Sequence, residues 1–296
     1  VTEWHSHIKN HLEKIVALEN SLDEQLVSLM QQFIREKEQQ GFAFGTLCVL
    51  HYVEYVEQLQ DEIFDVAAAI ELLILAFDIV DDLQDGDKDY VWMKTPALSL
   101  NVVLTMLTVA SKIIGASSFT HRHEAIQIVE QYMLCSINGQ HLDLLNHYRD
   151  EQAYISMIQQ KSGSLVAMSC EVGVVLASGK RLQGVAQYAQ AIGILQQIKN
   201  DIHNVTTEGS DLRQRKYSLP IFYMLTLQNK DASMIQSYYN GDTIQSIEHL
   251  QQLLVSNGAI RYALTMKNIY SKEAQTLIEN TLTNDENKKY LLKMMK

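Results

Sequence analysis

The chain has 296 residues, 47% of them hydrophobic, and a net charge of −11. That is ample apolar material for a large core, and too acidic a balance for nucleic acid to be the main partner. Only two prolines (Pro96 and Pro220) and thirteen glycines interrupt it, and neither a disordered linker nor a repeat of 20–50 residues is visible, so one domain over 1–296 is expected.

Apolar residues recur at three- and four-residue spacing almost throughout, without the alternation of a strand. This predicts helices over 5–18, 22–38, 44–59, 61–84, 97–114, 122–146, 150–178, 182–206, 217–228, 231–238, 243–254, 257–281 and 284–294. Two segments are apolar nearly all round, AAAIELLILAFDIV (67–80) and SGSLVAMSCEVGVVLAS (162–178). Such helices sit at the centre of a bundle, with the more polar C-terminal ones outside. The predicted fold is all-α, a helical bundle around a central cavity. The segment from Leu98 to Gly115 is interrupted by Asn101, Thr105, Thr108, Ser111 and Lys112, which suits a buried helix better than a membrane span. The N-terminal stretch VTEWHSHIKNHLEK has no apolar run, so no secretion signal is expected. Cys48, Cys135 and Cys170 are far apart in apolar surroundings and read as buried thiols of a cytoplasmic protein.

The helix predicted over 61–84 runs into D-I-V-D-D-L-Q-D-G-D. Asp81 and Asp85 are four apart and lie one above the other, with Asp82 on an adjacent edge. Carboxylates crowded at a helix C-terminus repel one another and face the negative end of the dipole. A divalent cation offsets that cost, and Mg²⁺ favours one or two carboxylates with substrate phosphates. A solvated acidic helix end is the plainer alternative. Asp78, one turn earlier, is either part of the same rim or a buried paired acid.

Further motifs follow in order. Glu71 stands ten residues before Asp81; Gly139-Gln140-His141-Leu142-Asp143-Leu144 has the form GQxxDL; Lys161-Ser162-Gly163-Ser164-Leu165 has the form K-[ST]-x-x-L. Ile192-Gly193-Ile194-Leu195-Gln196-Gln197 leads into Asn200-Asp201-Ile202-His203-Asn204, and Asp211-Leu212 precedes Lys216-Tyr217-Ser218-Leu219-Pro220. In this order the motifs resemble the trans-isoprenyl diphosphate synthase family over most of the chain. The resemblance implies that Asp81, Asp82 and Asp85 hold Mg²⁺ against an allylic diphosphate. It also implies that Gln140, Lys161 and Lys216 contact that diphosphate or the nearby helices. Read in isolation, the lysines are ordinary surface residues and Gln140 a core amide.

The sequence also departs from that family. Where elongating members carry Gly-Gly-Lys-Arg-x-Arg-Pro, this chain has Gln40-Gly41-Phe42-Ala43-Phe44-Gly45-Thr46, and their Arg-Arg-Gly aligns with Trp92-Met93-Lys94. Loss of both basic clusters removes the electrostatic reason for a second diphosphate to bind. The second acidic motif has become Asn200, Asn204 and Glu208, at i, i+4 and i+8, similar to the metal triad of terpene cyclases. Either it still holds Mg²⁺ or it is a decayed motif in a polar cavity.

A surviving donor site without the usual acceptor site most resembles the competence-pheromone isoprenyl transferase branch. That resemblance implies transfer of a geranyl or farnesyl group to a tryptophan of a short precursor peptide in quorum sensing. It also implies a homodimer, cytoplasmic or peripheral at the membrane. Phe42 and Phe44 then line an apolar acceptor groove, or simply extend the core. Phe77, one turn below Asp81, limits donor length to C10 or C15. A terpene cyclase acting on the same donor and a non-catalytic subunit of a heteromeric synthase are the alternatives.

Overall fold

The computed structural model describes residues 2–18, 21–86, 90–243 and 246–295. Asp87 of the acidic run, and residues 244 and 245 at the start of the helix predicted over 243–254, lie outside them. Every regular element among the described residues is helical, as the periodicity predicts. The chain forms two compact units, Val1–Tyr132 with Val166–Ala186, and Met133–Leu165 with Gln187–Lys296.

The first unit contains α1 (Thr2–Leu18), α2 (Glu24–Glu38), α3 (Ala43–Val53), α4 (Ile63–Asp85) and α5 (Pro96–Ala116), with a 3₁₀ turn at Val91–Lys94. Helix α4 is buried at nearly every position from Ile63 to Ala76 and packs against α5, α3 and α1. It matches the apolar segment singled out above, and a helix apolar all round has no face to give to water. Gly86 ends it in the left-handed conformation (φ 76°), its N–H bonding to the Asp82 carbonyl. Helix α3 stops at Val53, six residues before the predicted end, because the side chains beyond it are exposed or half-exposed and no core holds another turn. Helix α5 is long and apolar enough to cross a membrane. Here it packs on α4, burying Val102, Met106, Ala110 and Ile114 and exposing Leu100 and Leu104.

Helix α6 (Arg122–Leu145) follows, then α7 (Glu151–Ile158), α8 (Ser164–Ser178) and α9 (Gln183–His203). The helices predicted over 150–178 and 182–206 are each modified by a five-residue π turn, at Gln159–Gly163 and Asn204–Glu208. Periodicity does not foresee these insertions, which widen a helix by one residue.

The rest of the second unit is α10 (Ser210–Arg213), α11 (Leu219–Thr226), α12 (Lys230–Tyr239), α13 (Ile247–Ser256), α14 (Ala259–Thr281) and α15 (Asp285–Met294). Side chains of Asp150, Asn229, Ser246 and Asn284 cap α7, α12, α13 and α15 by accepting from the first-turn N–H groups. Tyr154, Ile158, Ile198, Leu219 and Phe222 form one core of this unit.

Candidate functional site

In the first unit, the end of α4 opens on a cavity of about 210 Å³ whose walls include Lys37, Asp78, Asp81, Asp82, Tyr90 and Trp92. Trp92 is buried and its indole N–H donates to Asp82 Oδ2 at 2.9 Å. Lys37, on α2, is buried and its ammonium pairs with Asp78 Oδ2 at 2.7 Å. Asp78 is therefore an ion-paired acid on the rim of the cavity that Asp81 and Asp82 also line. Burial works against the Lys37 charge, but Asp78 and Glu71 outweigh it and raise its pKa.

Two helical turns further down from Asp78, Glu71 is buried and accepts the Gly45 N–H at 2.6 Å. Burial pushes its carboxyl up to about 7, with Lys37 and the Gly45 N–H opposing that rise and Asp78 reinforcing it. A carboxyl whose folded pKa lies above its unfolded value keeps its proton while the unfolded chain ionises. Its contribution is present below the ordinary value of 4.5 and is lost as pH rises to about 7. Glu71→Gln should therefore gain stability relative to wild type between pH 4.5 and 7, by on the order of 3 kcal/mol at most. Denaturant unfolding at pH 5 and pH 8 measures this; a difference that does not change with pH would contradict it.

In the second unit, the motif residues meet in a buried polar network. Asp143 is buried, with Lys161 Nζ at 2.8 Å, Lys216 Nζ at 3.8 Å and the Tyr148 hydroxyl at 3.1 Å. Burial raises its pKa, but the two lysines outweigh that and hold it below the usual carboxylate range. Asp201 accepts from the Tyr154 hydroxyl and from Gln197 Nε2, and burial pushes it up to about 6. Asp211 accepts from Asn204 Nδ2 at 3.3 Å, and burial together with Asp201 pushes it up to about 7.

The glycines of three motifs serve this network by close approach. A Cβ on Gly139 would sit 2.2 Å from the Lys161 backbone nitrogen, and one on Gly193 would sit 2.5 Å from Gly163 Cα. The motifs GQxxDL, K-[ST]-x-x-L and the segment before Asn200 are thus neighbours in space.

The predicted residues fall as follows. Asp81, Asp82 and Asp85 are half-buried on the last turns of α4. Lys161 and Lys216 share Asp143, and Gln140 is half-buried on α6. Asn200 is exposed and Asn204 half-buried. Glu208, exposed at the end of the π turn, pairs with His203 at 3.5 Å. Phe42 is buried at the N-cap of α3 and stacked on His5, so packing claims it, whereas Phe44 and Phe77 are half-buried. Sequence reasoning missed Lys37, the Trp92–Asp82 bond and the burial of Asp143, Asp201 and Asp211.

Among the described residues no group of three or more His, Cys, Asp or Glu side chains is gathered into a ready metal cage. Mg²⁺ needs none, since it keeps waters and takes one or two carboxylates with substrate phosphates. Asp81 and Asp82 line one cavity and offer only oxygen donors. The residues fit a hard divalent cation.

A family model described as polyprenyl synthetase matches residues 28–255. The chain is 32% identical over 289 residues to the tryptophan prenyltransferase ComQ of Bacillus subtilis subsp. natto, covering 96% of this chain and 90% of that one. It is 35% identical over 249 residues to the tryptophan prenyltransferase ComQ of Bacillus spizizenii, covering 81% and 88%. Its fold is similar to that of a geranylgeranyl pyrophosphate synthase from Lactobacillus brevis, with a TM-score of 0.83 at 21% identity over 98% and 94% of the two chains.

Proposed function

This chain belongs to the polyprenyl synthetase family and is a prenyltransferase, and from that premise we propose that it transfers a geranyl or farnesyl group from the diphosphate to a tryptophan of a short pheromone precursor peptide. The observation that carries the reading is the likeness to tryptophan prenyltransferases along 96% of the chain. The replacement of both basic acceptor clusters by Phe42, Phe44 and Trp92 agrees with it. Nothing comparable favours the cyclase or the non-catalytic subunit.

Asp81, Asp82 and Asp85 form the first Mg²⁺-binding set, and Asn200, Asn204 and Glu208 the second. When bound, Mg²⁺ supplies Lewis-acid charge to the departing diphosphate. Gln140, Lys161 and Lys216 orient the diphosphate, and Asp143 holds the two ammonium groups in place until it arrives. The apolar wall of α4 excludes water from the allylic cation. C1 of the donor bonds to C3 of the indole as the C1–O bond breaks. A backbone nitrogen of the peptide then closes on C2, and its proton passes to the released diphosphate. The protein works as a homodimer, in the cytoplasm or peripherally at the membrane, and the exposed Leu100 and Leu104 on α5 are apolar surface that a second copy would cover.

Diphosphate release tests the reading. It should require Mg²⁺, donor and a tryptophan peptide together; release from donor alone would indicate a cyclase. Phe77→Ala, which removes a half-buried ring one turn below Asp81, should shift donor preference toward C20 in a competition of C10, C15 and C20 diphosphates. An unchanged preference would remove Phe77 from the donor pocket.

A further inference from the structure

The cavity at the end of α4 holds more than the carboxylates. Tyr90 lies parallel to Trp92, with centroids 4.8 Å apart and 12° between the rings. Trp92 is immobilised: its N–H bonds Asp82, its edge meets Phe33 at 5.6 Å, and its carbonyl accepts the Ser99 hydroxyl at 2.8 Å. Tyr90 is half-buried and lines the cavity. A rigid aromatic base thus carries a second ring into the space beside Asp81 and Asp82.

We propose that this cavity is the acceptor subsite, and that the Tyr90 ring, stacked on Trp92, is the platform on which the acceptor's indole lies. The inference rests on the tryptophan-prenylation reading and assigns its second substrate to named residues. Size supports it: about 210 Å³ is below the roughly 300–1,000 Å³ of pockets that enclose drug-sized ligands, so the cavity takes one side chain and not a whole isoprenyl diphosphate. The lining supports it too. The stretches that carry basic clusters in elongating members supply Gln40 and Trp92 to this cavity, and Lys37 is already held by Asp78 at 2.7 Å. Such walls suit a neutral, electron-rich ring. The indole N–H finds carboxylate acceptors there, and parallel aromatic rings attract when offset. Gln40, exposed at the rim, is placed to bond the peptide backbone. An indole held here is next to the carboxylates assigned to the departing diphosphate, where orientation counts most.

The test compares wild type with Tyr90→Ala and Tyr90→Phe, using a tryptophan peptide that the wild type modifies. Tyr90→Ala should raise the peptide KM about tenfold, leave the donor KM within twofold, and weaken binding of the unreacted peptide, measured calorimetrically, by the same factor. Tyr90→Phe should behave as wild type. If Tyr90→Ala is insoluble, Tyr90→Leu takes its place. An unchanged peptide KM, or an equal rise in donor KM, would overturn the subsite and leave the transferase reading standing. A wild type that modifies no tryptophan peptide would overturn both.

Discussion

Asp81→Asn should lower Mg²⁺-dependent turnover by about a thousandfold while the protein folds normally. The magnitude is that of removing one preorganised group from a site where charge develops. Folding should survive because Asp81 is half-buried at the C-terminus of α4, where a negative charge opposes the helix dipole and Asp85 repels it. Asn200→Ala, at an exposed position carrying no charge, should cost less. Full activity of Asn200→Ala would remove the second metal set.

The same variant has a readout apart from activity. The chain has two tryptophans, Trp4 and Trp92. In a Trp4→Phe background Trp92 is the only indole fluorophore, and its N–H contacts Asp82. Mn²⁺, a paramagnetic quencher, should extinguish its emission, and Asp81→Asn should weaken that quenching at least tenfold in metal concentration. Equal quenching in both proteins would place the metal elsewhere.

Gly139→Ala should cost about 3 kcal/mol of stability, the upper range for forcing extra volume into a packed interior. In an open helix the substitution would be worth up to about 1 kcal/mol in the opposite direction. Here the new Cβ would sit 2.2 Å from the Lys161 nitrogen and 2.7 Å from its Cα, and backbone atoms have nowhere to retreat. Displacing them moves Lys161 from Asp143 at 2.8 Å, so activity should fall along with stability. Gly115→Ala on α5 is the control: its nearest neighbour is an Ile126 side-chain carbon at 3.9 Å, and propensity alone should stabilise it. Denaturant midpoints of the two variants moving the same way would contradict the assignment of Gly139 to close packing.

The helices were legible because their apolar spacing is a local property, and α4 stood out because it is apolar on all sides. Its acidic end was legible for the same reason, since Asp81, Asp82 and Asp85 are neighbours in sequence. Lys37 was not, because its partner Asp78 is 41 residues away and nothing local marks the pair. The Trp92–Asp82 bond was hidden behind the question of which basic residues were missing. Asp143 and Asp211 were quoted as parts of motifs, but their burial comes from packing of segments distant in sequence. The two π turns fall on Lys161 and on Asn204–Glu208, and one inserted residue rotates every later side chain without disturbing the apolar pattern that announces a helix.

The most direct test of the central claim is mass spectrometry of a tryptophan-containing precursor peptide, ideally from the adjacent reading frame, after incubation with the protein, Mg²⁺ and geranyl or farnesyl diphosphate. One added isoprenyl mass is expected, located at the tryptophan by fragmentation and absent when that residue is alanine. Donor consumed with the peptide unmodified, or an isoprenyl mass on another residue, would contradict it.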